Sequence, residues 1–192
     1  MRYVGVIYDT AQGMDTLVSE LSMLSKLSLD KVPFYFEKIK AKDFFEEYTA
    51  YAADTLGEAG IEFIYNFECD EDRKINIDPA QFRRVLNNLI DNSRKYGAED
   101  GTAKIMLSVR NGENGHTEIS IEDNGQGVPA DERDKIFETF YRGDKARTGH
   151  KNGSGLGLAI TKQITDRHGA SIRADESELG GLKVIIDLPQ AK

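Results

Sequence analysis

Apolar residues near the N-terminus recur at alternating steps of three and four. This spacing predicts a helix with a continuous apolar seam, made of Val4, Ile7, Ala11, Met14, Val18 and Leu21 and widened by Leu17 and Leu24. Gly5 and Gly13 each lower helix stability by roughly 1 kcal/mol, so we expect this helix to depend on packing for its order. The seam suits a partner helix, and it suits equally an ordinary helix folded onto its own domain. Pro33 cannot continue the helix, which places a domain boundary between residues 1–32 and 33–192.

After this boundary the pattern predicts an aromatic segment and then an amphipathic helix. The aromatic residues 34–36 favour either a short strand or a linker that docks. Asp43 is expected to cap a helix that runs to about Leu56 and stops at Gly57 and Gly60. The predicted apolar side of this helix consists of Phe44, Tyr48, Tyr51, Ala52 and Leu56.

The rest of the chain alternates irregularly between strands and helices. A strand is predicted over 61–67, and Asp78 and Pro79 open a helix that ends at Tyr96. A hairpin, one more helix and two final strands follow, over 104–110 with 117–122, over 156–168, and over 171–174 with 182–188. This order predicts an α+β fold, a mixed sheet with helices packed on one face.

Composition narrows the classes of function. The chain has 25 Lys and Arg against 33 Asp and Glu, a net charge of −8, and this acidity argues against general nucleic-acid binding. The single cysteine, Cys69, allows no internal disulfide and no cysteine-ligated zinc site. No apolar run approaches the roughly 20 residues of a membrane helix, so we expect a soluble chain. The lone cysteine favours a reducing compartment, which suits a cytoplasmic domain.

Glycines point to a phosphate ligand. Gly153, Gly155 and Gly157 precede a predicted helix, whose N-terminal N–H groups and dipole favour an anion. The cluster lacks the Gly-Lys-Ser/Thr of a Walker loop, and taken alone it also fits a flexible turn. The segment 138–152 before it carries Arg142, Lys145, Arg147 and Lys151 against only Glu138 and Asp144, which makes it net positive within an acidic chain.

Two further groups suit a nucleotide. Asp123 ends a predicted strand before Gly125 and Gly127, where a carboxylate can accept a hydrogen bond from the amine of adenine, although an Asp-Asn-Gly turn is an alternative. Asn88 and Asn92 lie four apart on one helix face, and their amide oxygens suit Mg²⁺. Asparagines in a helix are otherwise merely poor helix formers.

In combination these residues resemble the sensor histidine kinases of two-component systems. The ordered motifs are Asn88-x-x-x-Asn92 with Lys95-Tyr96, Asp123-x-Gly125-x-Gly127, Phe137-x-x-Phe140, and Gly153-x-Gly155-x-Gly157-Leu158, which resemble the N, G1, F and G2 boxes. Gly180-Gly181 is similar to the terminal glycine motif. The resemblance covers about residues 34–189. It implies the Bergerat ATP-binding fold of the GHKL superfamily, a two-layer α/β sandwich of a mixed sheet against three helices, preceded here by a helix.

The resemblance also implies roles for residues. Asn92 resembles the Mg²⁺ ligand, and Asn88 and Lys95 complete the catalytic group. Asp123 resembles the adenine reader. ATP and Mg²⁺ are the implied cofactors, and the implied nucleotide contacts comprise Asn88, Asn92, Lys95, Tyr96, Asp123, Gly125, Gly127, Arg142, Lys151, Gly153, Ser154, Gly155, Leu156, Gly157 and Leu158. Phe137 and Phe140 are expected to anchor a lid over the nucleotide.

The implied activity is transfer of the γ-phosphoryl of ATP to a histidine, for relay to an aspartate of a response regulator. The N-terminal helix resembles the second helix of the dimerisation and phosphotransfer domain, which implies a homodimer in a full-length parent anchored in the bacterial membrane. No histidine occurs before His116, so we expect a fragment that lacks its phosphoacceptor helix and does not label itself.

Two other classes stay open. An ATP hydrolase of the topoisomerase or chaperone type carries a general-base Glu four residues before the Mg²⁺ asparagine, and Asn88 occupies that position here. A non-catalytic module that binds nucleotide or docks a partner is the third class.

Overall fold

The computed structural model describes residues 2–98, 101–143 and 153–191. Its first element is helix α1, Arg2–Ser28. The helix ends where the Leu29 and Lys31 N–H groups bond to the carbonyls of Ser25 and Lys26, with Asp30 in the left-handed region. The boundary after residue 32 stays a prediction. No described helix combines the length and the apolar character that crossing a membrane requires.

The aromatic segment forms the predicted docked linker rather than a strand. Phe34 and Phe36 stack with their ring centroids 5.9 Å apart, and both lie edge-on to His168. The strand lies just beyond them: β1, Glu37–Lys40, pairs antiparallel with β3, Lys74–Ile77. The sequence pattern missed both strands, because each has only four residues and their pairing is non-local.

Helix α2, Ala41–Glu58, differs from the prediction at two residues. Lys40 precedes the helix without a side-chain cap, and Asp43 lies inside the first turn, where its carboxylate still faces the positive end of the dipole. The helix begins at Ala41 because β1, which ends at Lys40, leads directly into it. Tyr51 is 74% exposed, since the buried stripe follows Phe44, Tyr48, Ala52 and Leu56 in steps of four.

The remaining elements confirm the predicted order. They are β2 Glu62–Glu68, α3 Pro79–Tyr96, β4 Lys104–Asn111, β5 Thr117–Asp123, α4 Gly157–Arg167, β6 Ser171–Glu176 and β7 Leu182–Leu188. The Asp78 side chain caps α3 by accepting a hydrogen bond from the Gln81 N–H at 2.9 Å. Short 3-10 turns lie at Glu113–Gly115, Ala130–Glu132 and Lys135–Phe137.

The main sheet is mixed, as predicted. Its strand order is β2-β4-β5-β7-β6, in which β2 and β4 are parallel and every other neighbouring pair is antiparallel. Helices α2, α3 and α4 pack on the sheet, and α1 packs on α4 through Leu24 and Leu27. The loops after β5 and before α4 therefore meet beside α3.

Candidate nucleotide-binding site

A cavity of about 330 Å³ lies between α3, the segment after β5 and the N-terminus of α4. It brings together most of the residues that the sequence motifs single out. Those that line it are Asn88, Asn92, Lys95, Tyr96, Asp123, Gly127, Arg142, Gly153, Ser154, Gly155, Gly157 and Leu158. Three predicted contacts are not among them: Gly125 and Leu156 lie behind the wall, and Lys151 lies outside the described residues.

Asp123 forms the buried end of the cavity and is only 2% exposed. Its Oδ1 accepts hydrogen bonds from the N–H groups of Gly125 at 3.0 Å and Leu182 at 3.1 Å. Within the described residues, Oδ2 accepts no hydrogen bond. The backbone therefore fixes the carboxylate and leaves one oxygen for a donor that enters the cavity.

Gly125 shapes the wall behind that carboxylate. A Cβ atom at this position would lie 2.1 Å from the carbonyl oxygen of Tyr96. Only glycine lets the loop after β5 approach the end of α3 this closely. Gly125 thus acts by contact with α3 instead of lining the cavity.

The two asparagines of α3 differ in their partners. Asn88 Nδ2 donates to the Gly157 carbonyl at 3.2 Å and to Thr161 Oγ1 at 3.3 Å, which ties α3 to the start of α4. This arrangement leaves Asn88 Oδ1 as the acceptor available to the cavity. Asn92 and Lys95, one and two turns further along α3, have no hydrogen-bond or ion-pair partner among the described residues.

The glycine loop leads into α4 as the sequence predicts. Ser154 Oγ accepts from the Leu156 N–H at 3.0 Å, and the side chain of Leu156 is fully buried beneath the loop. Leu156 therefore anchors the loop in the core and does not contact the cavity. Gly157 and Leu158, the first two residues of α4, line the cavity, so the N-terminus of this helix lies at the cavity edge, where it favours an anion.

The expected aromatic anchors of a lid behave differently from each other. Phe137 is buried, whereas Phe140 is 57% exposed and lies in the left-handed region with φ of 64°. The Phe140 N–H bonds to the Gly155 carbonyl at 3.0 Å, which holds the backbone while the side chain points outward. Tyr141 lines the cavity in its place. Lys145, Arg147 and the remainder of 144–152 lie outside the described residues.

Glu20 of α1 also lines the cavity, and the motifs gave no indication of it. Its Oε2 atom is shielded from solvent and has no hydrogen-bond partner among the residues that the structure describes. The packing of α1 on α4 brings this carboxylate to the site from 68 residues before Asn88, so no local signal could have revealed it. His116 and His168 do not line the cavity.

Comparison with known proteins identifies the family of this chain. The model of the family described as histidine kinase-, DNA gyrase B-, and HSP90-like ATPase matches residues 77–192. The sensor histidine kinase WalK of Bacillus subtilis is 36% identical over 188 residues, which cover 98% of this chain and 30% of that protein. The chain thus spans about a third of the length of this relative.

Two solved structures share the fold. Full-length ShkA in complex with AMPPNP gives a TM-score of 0.79 at 22% identity and covers 100% of this chain and 39% of its own. Histidine kinase ThkA in complex with the response regulator protein TrrA gives 0.72 at 21% identity and covers 100% of this chain and 51% of its own. The chain therefore belongs to the histidine kinase-, DNA gyrase B- and HSP90-like ATPase family and is homologous to the catalytic domain of sensor histidine kinases.

Proposed function

We propose that this chain binds Mg-ATP in the cavity and delivers the γ-phosphoryl group to a histidine of a dimerisation helix, for relay to an aspartate of a response regulator. The observation that carries this proposal is the convergence in one cavity of Asp123, the asparagine face of α3 and the N-terminus of α4. These three elements supply, in turn, a base acceptor, oxygen ligands and a phosphate site.

Asp123 is the proposed adenine reader. Its Oδ1 is occupied by backbone donors, so Oδ2 is the oxygen that accepts from the exocyclic amine of adenine. Guanine presents a carbonyl oxygen at the corresponding position, and two acceptors cannot bond to each other. The site should therefore prefer ATP to GTP.

The phosphates are proposed to lie toward α4. Gly157 and Leu158 open α4 and line the cavity, and Lys95 is a cation in the cavity wall. Tyr96, Arg142, Gly153, Ser154 and Gly155 also line the cavity and are proposed to contact the nucleotide. Lys151 remains a predicted contact outside the described residues.

The residues present fit Mg²⁺. Asn88 Oδ1 and Asn92 provide amide oxygens, the hard ligands that this cation takes when phosphates and water complete its shell. Asn92 is the proposed ligand, with Asn88 beside it. When bound, Mg²⁺ neutralises charge on the phosphates and helps to hold the γ-phosphoryl group for in-line attack.

A hydrolase is the less favoured alternative because of Asn88. Its amide cannot take a proton from water, and its Nδ2 is already committed to Gly157 and Thr161. Asn88 therefore fixes the phosphate end of the site without activating a nucleophile. A purely conformational module is disfavoured by a cavity that presents base, metal and phosphate groups together.

The partners are also part of the proposal. We assign α1 to a dimerisation helix because a stripe of its apolar side chains is exposed, and we expect a homodimer in the complete protein. A response regulator is the expected acceptor of the phosphoryl group. Relatives named as sensor kinases support a parent with a membrane anchor and this domain in the cytoplasm.

Calorimetric titration with ATP and GTP, each with and without Mg²⁺, tests the proposal. We expect ATP to bind more tightly than GTP, and Asn92→Ala to weaken Mg-ATP more than Mg-free ATP. Asn87→Ala is the matched control, because Asn87 is on α3 but bonds to the Tyr48 hydroxyl, away from the cavity. Equal affinity for ATP and GTP in the wild type would contradict the assignment.

A further inference from the structure

Glu122 is a buried carboxylate on the side of the sheet opposite to the nucleotide cavity. It is adjacent to Asp123 on β5, and consecutive residues of a strand point to opposite faces. Only 2% of Glu122 is exposed, as for Asp123. The proposed nucleotide chemistry uses Asp123 and leaves Glu122 without a role.

Lys183 neutralises this carboxylate across the β5–β7 pair. The two residues are opposite each other in the strand register, and Lys183 Nζ lies 2.8 Å from Glu122 Oε1. The other oxygen, Oε2, accepts from Ser177 Oγ at 3.3 Å and from the Glu178 N–H at 3.4 Å. Glu122 therefore bonds to the turn between β6 and β7 through a different oxygen from the one that pairs with lysine.

That turn is compact. The Ser177 N–H donates to the Gly181 carbonyl at 3.0 Å, and the Gly180 N–H donates to the Ser177 carbonyl at 2.9 Å. Ser177 Oγ in addition accepts from the Leu179 N–H at 3.0 Å. Three hydrogen bonds thus join residues 177–181 to one another.

Asp123 holds the same turn from the cavity side. Its carbonyl accepts from the Gly181 N–H at 3.0 Å, and its Oδ1 accepts from the Leu182 N–H at 3.1 Å. A Cβ atom at Gly181 would lie 2.2 Å from Asp123 Oδ1. Only glycine therefore lets the turn come this close to the carboxylate. Glu122 and Asp123, adjacent on β5, thus form hydrogen bonds to this turn and its first following residue from opposite faces of the sheet.

We propose that Glu122 is a positioning residue for base recognition. By holding the turn 177–181, it places the Leu182 N–H on Asp123 Oδ1 and so directs Oδ2 toward the adenine amine. A buried ion pair contributes little net stability relative to apolar residues of similar size, which makes a geometric contribution the larger one here. The inference rests on the proposed function of Asp123 as adenine reader.

Paired substitutions separate the Glu122–Lys183 ion pair from the hydrogen bonds that Ser177 and Glu178 donate to Glu122. Glu122→Leu with Lys183→Met removes both, whereas Glu122→Gln with Lys183→Met keeps an amide oxygen for Ser177 and Glu178. We expect the first variant to lose about tenfold in ATP affinity, the scale of one or two hydrogen bonds, and to lose most of its preference over GTP. The second should recover to within about threefold, because one acceptor is retained.

Controls distinguish positioning from general stability. Glu118→Gln with Arg110→Met removes another ion pair from β5, with a 2.7 Å contact and no bond to the turn, and should leave the ratio of ATP to GTP affinity unchanged. Ser177→Ala removes the hydroxyl that donates to Glu122 and accepts from the Leu179 N–H, and it should lower that ratio about two- to threefold. This variant keeps the hold on the turn testable if the leucine variant does not fold.

The outcomes are separable. If the wild type shows no preference for ATP, both the proposed function and this inference fail. If the wild type prefers ATP but the leucine variant and Ser177→Ala keep its affinity ratio, Glu122 has no positioning role and the inference alone fails. A lower thermal midpoint with an unchanged ratio in these variants would likewise show that Glu122 serves only stability.

Discussion

Helices α1 and α3 differ in what covers their apolar residues. In α3 the apolar side chains Phe82, Val85, Leu86, Leu89 and Ile90 are all buried against the rest of the chain. In α1 a stripe of Ile7, Met14, Leu17, Val18 and Leu21 is between 40% and 68% exposed. Exposure on this scale is costly in water. The apolar side of α3 is therefore satisfied within the chain, and we expect another surface to cover the stripe of α1.

The C-terminal end of α1 is packed on the domain, unlike its exposed stripe. Toward its C-terminus Leu24 and Leu27 are buried, Ser28 Oγ bonds to Gln163, and Asp30 beyond the helix pairs with Arg167. The helix is therefore docked on α4 at one end while its stripe remains uncovered. The cavity is lined by twelve of the residues that the motifs single out, whereas residues 1–29 contain no histidine that could receive a phosphoryl group.

The largest expected effect concerns that nucleophile. We expect the chain to bind ATP without phosphorylating itself and to hydrolyse it slowly, because Asn88 replaces a general base that is typically worth about 100- to 10,000-fold in rate. A helix that carries a phosphoacceptor histidine, supplied in trans, should restore transfer. Incubation with radiolabelled ATP measures this, and acid-labile label on the chain alone would contradict the prediction.

The second prediction tests the two helices directly. Phe82→Ala should lower the free energy of unfolding by about 3–5 kcal/mol, because it leaves a cavity in a fully buried aromatic cluster. Val18→Ala on the exposed stripe should change it by no more than about 0.5 kcal/mol. Urea unfolding monitored by circular dichroism gives both values. Similar losses in the two variants would remove the distinction between the helices.

The third prediction concerns the completed site. Asp123→Ala should weaken ATP binding by about 1.5–3 kcal/mol, the scale of a hydrogen bond to a charged group. Asp131→Ala is the matched control, because Asp131 is an exposed acid that does not line the cavity. Calorimetry measures the ATP affinity of both variants. Equal affinities of Asp123→Ala and Asp131→Ala would mean that another residue recognises the base.

The fourth prediction concerns the uncovered stripe. Fully burying Leu17 or Leu21 is worth roughly 1.5–3 kcal/mol each, so the chain should self-associate as its concentration rises. Val18→Glu or deletion of residues 1–29 should abolish this association, whereas Ser19→Glu, at an exposed position beside the stripe, should reduce it less. Sedimentation velocity over a range of concentrations provides the measurement, and a monomer at every concentration would refute the expected dimer.

The sequence predicted the elements whose signals are local. The α3 cap at Asp78, the β4–β5 hairpin and the glycine stop of α4 follow from residue types a few positions apart. The β1–β3 pair, the outward Tyr51 and the approach of Glu20 depend on contacts between distant segments, which short-range periodicity does not encode. In the site, the motifs identified twelve of the residues that line the cavity, but they did not separate these from Gly125 and Leu156, which lie behind its wall.

The last prediction concerns the junction between the two regions, where His168 is buried at the end of α4. Its Nδ1 donates to the Ile164 carbonyl at 2.7 Å, so Nε2 must be the acceptor for the Asp78 N–H at 3.0 Å. The rings of Phe34, Phe36 and Phe82 surround it edge-on. Neutral His168 thereby joins the linker that follows α1 to the first turn of α3.

Burial lowers the pKa of His168 below its usual value near 6.5. The unfolded chain therefore binds a proton that the folded chain excludes. The contribution of neutral His168 to the free energy of unfolding is complete above pH 6.5 and declines as the pH falls below that value. One proton contributes a slope of at most about 1.4 kcal/mol per pH unit. Urea unfolding between pH 7 and 5.5 should show a steeper loss for the wild type than for His168→Gln, and equal slopes would place the acid sensitivity of this protein elsewhere.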